Sequence, residues 1–361
     1  MTKISLYLAR QYLFNVIAFM LIILAIIFVF DVLEILRRLD DNDASILTVM
    51  AMGLLKLPEV GQLVLPFGIL FSAMFTFWQL NRRQELVVLR SSGLSVWQFL
   101  LPIMGVAVFL GLFQIFIINP AGAVLLSHYE SYEQRYLSHN DTLVTSLDDG
   151  LWLRQNQNGN EMIIHSTRID PKDWTFYNVT IYEFDADYRF TARIDGPKAR
   201  LTSDGWYFPQ GIIHTQHQQA EPLSGYVLPT SVSPMDIENS FSSPESRSFW
   251  ELPGLVHQLH NAGFDTTRLR IHFHSLLSVP LLFAAMVSVA AVLSLKPTMR
   301  SGGTLRMVLT GIFIGFVIFF MTNFLKALGA SNQMPILIAS WSPAIITFFT
   351  GLGILLNTED G

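Results

Sequence analysis

Cysteine is absent from the 361-residue chain, and charged residues make up only 14% of it. The missing cysteines exclude disulfides, thiolate catalysis and zinc sites with cysteine ligands. A soluble domain carries about 25% charged residues, so the deficit argues against an ordinary cytosolic enzyme. The net charge is −5 and no basic block is present, and we therefore expect no nucleic acid among the partners.

Motifs for nucleotide binding and catalysis are also missing. The chain contains no P-loop of the form G-x-x-x-x-G-K-[ST] and no G-x-S-x-G nucleophile motif. The pairs His257–His260 and His272–His274 invite a metal interpretation, but no cysteine or carboxylate cluster completes a site. We therefore expect no metal, no cofactor and no catalytic residue in this chain. If ATP drives its function, ATP and Mg bind to another polypeptide.

What the chain does contain is six long apolar runs. A bilayer core of about 30 Å is crossed by about 20 apolar residues in a helix, and hydrophobic residues make up 51% of the chain. The runs predict an α-helical membrane protein with six transmembrane helices, three on each side of a long polar stretch. They cover residues 12–30, 54–80, 96–118, 271–295, 305–328 and 335–356.

The polar stretch between the third and fourth runs indicates β structure. Short segments rich in Ile, Val, Thr, Tyr and Phe alternate with turn steps such as Asn158-Gly159, which is typical of a sandwich or jelly roll. We predict three regions. Residues 1–124 hold transmembrane helices 1–3 and a short cytoplasmic helix near 82–93. Residues 125–269 form an inserted all-β jelly-roll domain with flanking helical segments, and residues 270–361 hold helices 4–6.

Basic residues in the short loops set the orientation, because cytoplasmic loops carry an excess of Lys and Arg. The N-terminus and the loops after spans two and four hold eight basic residues: Lys3, Arg10, Arg82, Arg83, Arg90, Lys296, Arg300 and Arg306. The opposite short loops hold three, outnumbered by acids. We therefore expect both termini in the cytoplasm and the β domain outside, in the periplasm of a Gram-negative cell.

The loop Asn81–Gly93 after the second span is amphipathic. Leu86 and Leu89 belong to an apolar stripe, and Glu85 and Arg90 supply charge. A short helix lying along the membrane surface could dock into a groove on a soluble subunit. The alternative is a basic loop that rests on lipid headgroups.

Basic residues near the outer ends of two spans are candidates for binding a phosphorylated lipid. Arg37 and Arg38 end the first span, and an arginine fork matches phosphate geometry. The alternative is an anchor paired with Asp40 and Asp41. Lys326 lies near the outer end of the fifth span, where it either reaches the interface or lines a lateral opening. Glu59 in the second span is a candidate proton carrier, or a partner of Lys56.

Taken together, these residues resemble the LptF/LptG permease family of the lipopolysaccharide exporter. The resemblance covers nearly the whole chain, and its strongest stretch is Pro58–Gly93, where a proline-containing span leads into E-L-V-V and S-G. Further matches are Gly150-Leu151-Trp152 at the start of the β domain and the GIFIGF segment of span five. Met334-Pro335 and Ser342-Pro343 are more similar to the LptG branch than to the LptF branch.

The resemblance implies partners and roles. It implies one LptF-type and one LptG-type permease with a dimer of the ATPase LptB, and a periplasmic LptC-type protein that receives lipopolysaccharide. Glu85 matches the acidic residue of the coupling helix that contacts LptB, with Leu86 and Arg90 as its neighbours. Arg37 and Arg38 match a basic pair that engages the lipopolysaccharide headgroup; Lys326 and Arg135 are further candidates. The sequence departs from the LptG pattern at Asp31, where that branch carries Lys, so an acidic residue replaces a basic one near the end of this span.

Three other functions stay open on the sequence. The chain could be the LptF-type partner or a permease for another envelope lipid. It could be an ATP-independent membrane sensor or assembly scaffold, whose β domain binds a periplasmic protein. It could also be a proton-driven transporter that uses Glu59. A membrane-embedded hydrolase is the weakest alternative, because no nucleophile with a positioned base can be named.

Overall fold

Long helices carry most of the chain, and an antiparallel sheet lies between the third and fourth spans. The computed structural model describes residues 2–38, 45–91, 93, 95–136, 143–147, 150–157, 160–170, 173–185, 189–202, 205–215, 219–230, 237, 244–261, 265–294 and 303–359. The chain divides into two compact units, one built mainly of the spans and one that contains the sheet.

Within the described residues, six helical spans are long and apolar enough to cross a membrane. The helices are α1 (Thr2–Arg38), α2 (Ile46–Arg82), α3 (Glu85–Ser91), α4 (Val96–Phe113), α5 (Asn119–Tyr136), α6 (Leu252–Asn261), α7 (Thr267–Ser294), α8 (Gly303–Ala330) and α9 (Ile336–Glu359). A π-helical turn, Gln114–Ile118, joins α4 to α5 in the third span. The predicted fold class, six helices split three and three by an inserted β domain, is confirmed.

Several helices extend well beyond the apolar runs that predicted them. α1 covers 37 residues, and α4, the π turn and α5 continue the third span as far as Tyr136. The added turns carry polar and charged side chains, which water and headgroups can solvate outside the hydrocarbon. Hydropathy therefore locates the membrane core of each span but not the ends of its helix.

The core of the helical unit is built from α1, α2, α4 and α7. It centres on large apolar side chains that are almost fully buried, among them Tyr12, Phe77, Phe99 and Phe283. Close backbone contact supports this packing where Gly111 of α4 meets Pro280 of α7. A Cβ added at Gly111 would lie 2.6 Å from the Pro280 Cα, so glycine is required at this crossing.

In the inserted domain, the described residues form a seven-stranded antiparallel sheet. Its strands are β1 (Leu143–Leu147), β2 (Gly150–Gln157), β3 (Asn160–Asp170), β4 (Thr175–Phe184), β5 (Phe190–Thr202), β6 (Gly205–Thr215) and β7 (Glu221–Leu228). Each strand pairs with the next in sequence. This order refines the jelly-roll prediction, because the strands that the structure describes pair as one consecutive meander and none of them is interleaved.

One face of this sheet is apolar and curls around a core. A row of directly paired residues crosses five strands, because the register aligns Leu153, Ile164, Ile181, Ile194 and Ile213. The core cluster draws on strands β2 to β7. The Thr230 hydroxyl, just after β7, donates a hydrogen bond to the buried Gln155 Oε1 on β2. This bond between strands separated in sheet order shows that the sheet curls back on itself.

The chain returns from the sheet to the helices through a short segment that packs on α5 and α7. A 3-10 turn, Pro244–Ser246, precedes Phe249, whose backbone N–H donates to Asn119 Oδ1 at 2.8 Å. The Phe249 ring stacks on Phe273 with centroids 5.3 Å apart, and Trp250 stacks on Phe116 at 5.4 Å. These contacts connect the third span, near the start of α5, to the start of α7 through the return segment.

Candidate functional site

The loop after the second span forms a tight turn into a short helix. α2 ends at Arg82, and the Arg83 N–H donates to the Gln79 carbonyl oxygen at 3.0 Å. Gln84 then adopts the left-handed region at φ +59°, an unusual conformation for a residue with a Cβ. The Gln84 carbonyl oxygen accepts from the N–H groups of Val87 and Val88. The turn therefore places Glu85 at the first position of α3.

Two side chains contact the Glu85 carboxylate. The Tyr7 hydroxyl of α1 donates to Glu85 Oε2 at 3.2 Å, with Oε1 at 3.4 Å. Arg83 Nη1 lies 3.9 Å from Oε1. The Glu85 side chain keeps 32% of its surface exposed. It is thus held by neighbours and still open to a partner.

α3 has one buried face and one exposed face. Leu86 is 5% exposed and belongs to the helical core with Leu8 and Leu80. Val87 and Val88 are 59% and 65% exposed. Leu86 therefore anchors α3 to the bundle, and the two valines present the apolar surface beside Glu85. The side chains of Leu89 and Arg90 lie outside the described residues.

Polar residues on the first half of α1 form hydrogen bonds with α2. These residues are not among the sites predicted from the sequence. Gln11 Nε2 donates to Gln79 Oε1 at 2.9 Å. One turn further, the buried Asn15 donates through Nδ2 to Thr76 Oγ1 at 2.8 Å. A signal existed in the sequence, since Gln11 and Asn15 are polar residues four positions apart at the start of an apolar run.

The basic pair at the end of α1 lies among carboxylates. Arg38 forms ion pairs with Glu34 and with Glu133 of α5, the latter at 3.9 Å. Arg37 is exposed. Asp31 is partly buried, and its Oδ2 has no hydrogen-bond partner within the described part of the chain. The surroundings of the pair are therefore more acidic than the predicted headgroup role suggests.

Lys326 occupies a different neighbourhood. It lies within electrostatic range of His272 on α7 and of Glu245 in the return segment. Its side chain is partly buried within the helical unit. The side chain of Arg135 lies outside the described residues, and Glu59 is within electrostatic range of Lys56.

Histidine and carboxylate side chains do not assemble into a metal centre in the described ranges. No group of three or more His, Cys, Asp or Glu side chains that could hold a metal ion occurs there. His272 Nε2 is buried, and it has no hydrogen-bond partner among the residues that the structure describes. The two features with functional geometry are thus the Glu85 turn and the charged residues around Arg38 and Lys326.

Comparisons with known proteins connect this architecture to one family. The profile described as "Lipopolysaccharide export system permease LptF/LptG" matches residues 6–357. The "Lipopolysaccharide export system permease protein LptG" of Escherichia coli strain K12 is 24% identical over 314 residues, which cover 84% of this chain and 84% of that protein. The LptG protein of Escherichia coli O6:H1 strain CFT073 matches with the same identity and coverage.

Proposed function

Because the chain belongs to the LptF/LptG family of lipopolysaccharide export permeases, we propose that it is the LptG-type subunit of such an exporter. In this role it draws lipopolysaccharide from the outer leaflet of the inner membrane. It then passes the lipid to a periplasmic bridge that leads toward the outer membrane. The family is one of non-catalytic permease subunits in an ABC transporter, so this chain supplies the path for the lipid.

The observation that carries the proposal is the extent of the family match. It runs from residue 6 to residue 357 and so includes both sets of spans and the inserted sheet. A scaffold that shared only the membrane helices, or only the β domain, would match over part of the chain. The LptG assignment rests on Met334-Pro335 and Ser342-Pro343, which are more similar to the LptG branch. The two LptG relatives at 24% identity support membership of the LptF/LptG family.

Energy for transport comes from a separate ATPase of the LptB type, which binds ATP and Mg. The sequence has no P-loop, so the subunit must receive a mechanical input. Glu85 and the exposed Val87 and Val88 form the surface that supports this role, and Leu86 anchors it to the core. Arg90 is a further proposed contact with the ATPase.

The lipid headgroup would meet the outer ends of the spans. Arg37 is exposed and Arg38 is about half exposed, so both guanidinium groups can reach a phosphate. Lys326 and Arg135 are the further proposed ligands, on α8 and α5. A phosphate would have to compete with Glu34 and Glu133 for Arg38, which favours Arg37 as the first contact.

The proposed setting is the inner membrane of a Gram-negative cell, with both termini cytoplasmic and the sheet periplasmic. The proposed partners are an LptF-type permease, two LptB-type ATPase subunits and an LptC-type periplasmic protein. A tagged chain purified from native membranes in mild detergent tests the assembly, with mass spectrometry to identify what co-purifies. We expect a second six-span permease and an ABC ATPase; a chain that purifies without an ATPase would support the sensor or scaffold.

The Glu85 turn is tested with Glu85→Ala in the complex reconstituted into lipid vesicles. We expect the ATPase to dissociate more readily or ATP hydrolysis to continue with little lipid release, because the charged contact at the turn is lost. Glu221→Ala is the control, since Glu221 is an exposed carboxylate on β7 far from this turn in sequence. Unchanged assembly and unchanged lipid release in Glu85→Ala would contradict the coupling role.

A further inference from the structure

The first half of α1 presents two adjacent rows of side chains to the rest of the helical unit. Leu8, Tyr12 and Val16 form an apolar row with exposures of 3% or less. Tyr7, Gln11 and Asn15 form a polar row beside it, which we call the polar ladder. Both rows have a spacing of four residues, and residues at this spacing share one face of a helix.

Each member of the polar ladder bonds to a different point on the segment that leads into α3. Asn15 bonds to Thr76 at 2.8 Å, Gln11 to Gln79 at 2.9 Å, and Tyr7 to Glu85 at 3.2 Å. The contacts therefore lie in order along the end of α2, and the last of them is to the Glu85 carboxylate after the turn. Ser72 adds a bond to the Asn15 carbonyl oxygen at 3.3 Å.

Hydrogen bonds of this kind fix the register of two helices, because apolar side chains can slide past one another and paired polar groups cannot. The last contact also restricts Glu85 itself. A glutamate side chain has several rotatable bonds, and ordering it costs conformational entropy. A tyrosine hydroxyl donating to a carboxylate is a charge-assisted hydrogen bond, so Tyr7 can hold the carboxylate in one orientation before a partner arrives.

We propose that Tyr7 is a positioning residue for the Glu85 carboxylate and that α1 follows the movement of α3 through this contact. This inference rests on the proposed function, in which Glu85 receives the input of the ATPase. The input then reaches α1 directly through Tyr7, while Gln11 and Asn15 keep α1 in register with α2. α1 is also the helix whose far end carries Arg37 and Arg38, so the ladder connects the coupling turn to the helix proposed to meet the lipid headgroup.

The test is Tyr7→Phe in the complete complex reconstituted into vesicles that contain lipopolysaccharide. The measured quantity is the amount of lipid released per ATP hydrolysed. We expect this ratio to fall about fivefold, the change that corresponds to one hydrogen bond of about 1 kcal/mol. Assembly with the ATPase and the rate of ATP hydrolysis should stay near the wild-type values, because Tyr7 is 46% exposed and its ring is retained.

Tyr12→Phe is the matched control. It removes a hydroxyl from the same helix, but the Tyr12 hydroxyl donates to the Ile69 carbonyl oxygen at 3.3 Å and not to the turn. We expect Tyr12→Phe to leave the ratio of lipid to ATP unchanged. An equal fall in both variants would mean that Tyr7 supports only general stability, and would overturn the proposal.

A double variant separates positioning from an independent role. If Tyr7 acts through Glu85, then Tyr7→Phe combined with Glu85→Gln should be no worse than Glu85→Gln alone. Multiplied losses would contradict the proposal. Suppose that the wild-type complex releases lipid on ATP hydrolysis and that Tyr7→Phe releases the same amount of lipid per ATP. This result would overturn the positioning role of Tyr7 and leave the proposed function standing. Absence of ATP-driven release from the wild-type complex would overturn the proposed function, and the role of Tyr7 would fall with it.

Discussion

Buried polar side chains fix the contacts between elements of the helical unit. Asn119, at the start of α5, is 2% exposed and uses both ends of its amide. Its Nδ2 donates to Gln62 Oε1 of α2 at 3.2 Å, and its Oδ1 accepts from the Phe249 N–H at 2.8 Å. One side chain thus ties α5, α2 and the return segment together, in a region where unpaired polar groups are costly.

We expect Asn119→Ala to lower the free energy of unfolding by about 1–3 kcal/mol, because Gln62 Oε1 and the Phe249 N–H lose a buried partner. Asn323→Ala is the control. Asn323 is exposed, and among the described residues its amide bonds to the Phe319 carbonyl oxygen one turn away, so its loss should cost less than about 0.5 kcal/mol. Denaturant unfolding in detergent compares the two variants, and equal stabilities would contradict the account of Asn119.

Packing of neighbouring helices depends on where small residues fall. α4 carries two glycines with different surroundings, although both lie in the same apolar helix. A Cβ at Gly111 would meet the Pro280 backbone, with N at 3.0 Å and Cα at 2.6 Å, whereas a Cβ at Gly105 would find no atom within 4 Å. A flexible side chain could move aside, but the backbone of a packed helix cannot do so cheaply.

The paired variants Gly111→Ala and Gly105→Ala test this contact. Gly111→Ala should destabilise the protein by about 1–3 kcal/mol, because α4 and α7 must move apart. Gly105→Ala should be neutral or stabilising by up to about 1 kcal/mol, since alanine favours helix over glycine. The melting temperature in detergent is the measurement. A destabilisation shared by both variants would point to helix flexibility and not to the close contact.

The elements themselves were largely predictable from the sequence, and their partners were not. Six apolar runs of about 20 residues or more indicate transmembrane helices. Short segments rich in β-branched and aromatic residues, separated by turn sequences, indicate strands. The left-handed Gln84 and the π turn at Gln114 carry no comparable signal, because neither position is marked by a glycine or a proline. The loop motif located Glu85. Its partner Tyr7 lies 78 positions away in sequence, so the sequence does not reveal the contact. Burial of the Leu86 side chain likewise depends on how α3 packs on the core.

Charge is distributed unevenly over the whole molecule. Residues 119–269 hold 19 acidic and 10 basic residues, a net charge of −9, while the rest of the chain has a net charge of +4. Eight of the basic residues fall at one end of the spans in the predicted topology. Since short basic loops are retained in the cytoplasm, the spans should carry the acidic β domain to the opposite side.

Single cysteines can test this topology without background, because the natural chain contains none. Tyr207→Cys places a thiol on β6 at a position that is 38% exposed, and Asn357→Cys places one on the exposed end of α9. We expect a membrane-impermeant maleimide to label Tyr207→Cys in intact spheroplasts and Asn357→Cys only after permeabilisation. Inverted membrane vesicles should reverse the result. Labelling of Asn357→Cys from outside would contradict an even number of spans with a cytoplasmic N-terminus. If Tyr207→Cys were also protected from outside, the whole topology would be inverted, and the Glu85 turn would lie on a face of the membrane that a cytoplasmic ATPase cannot reach.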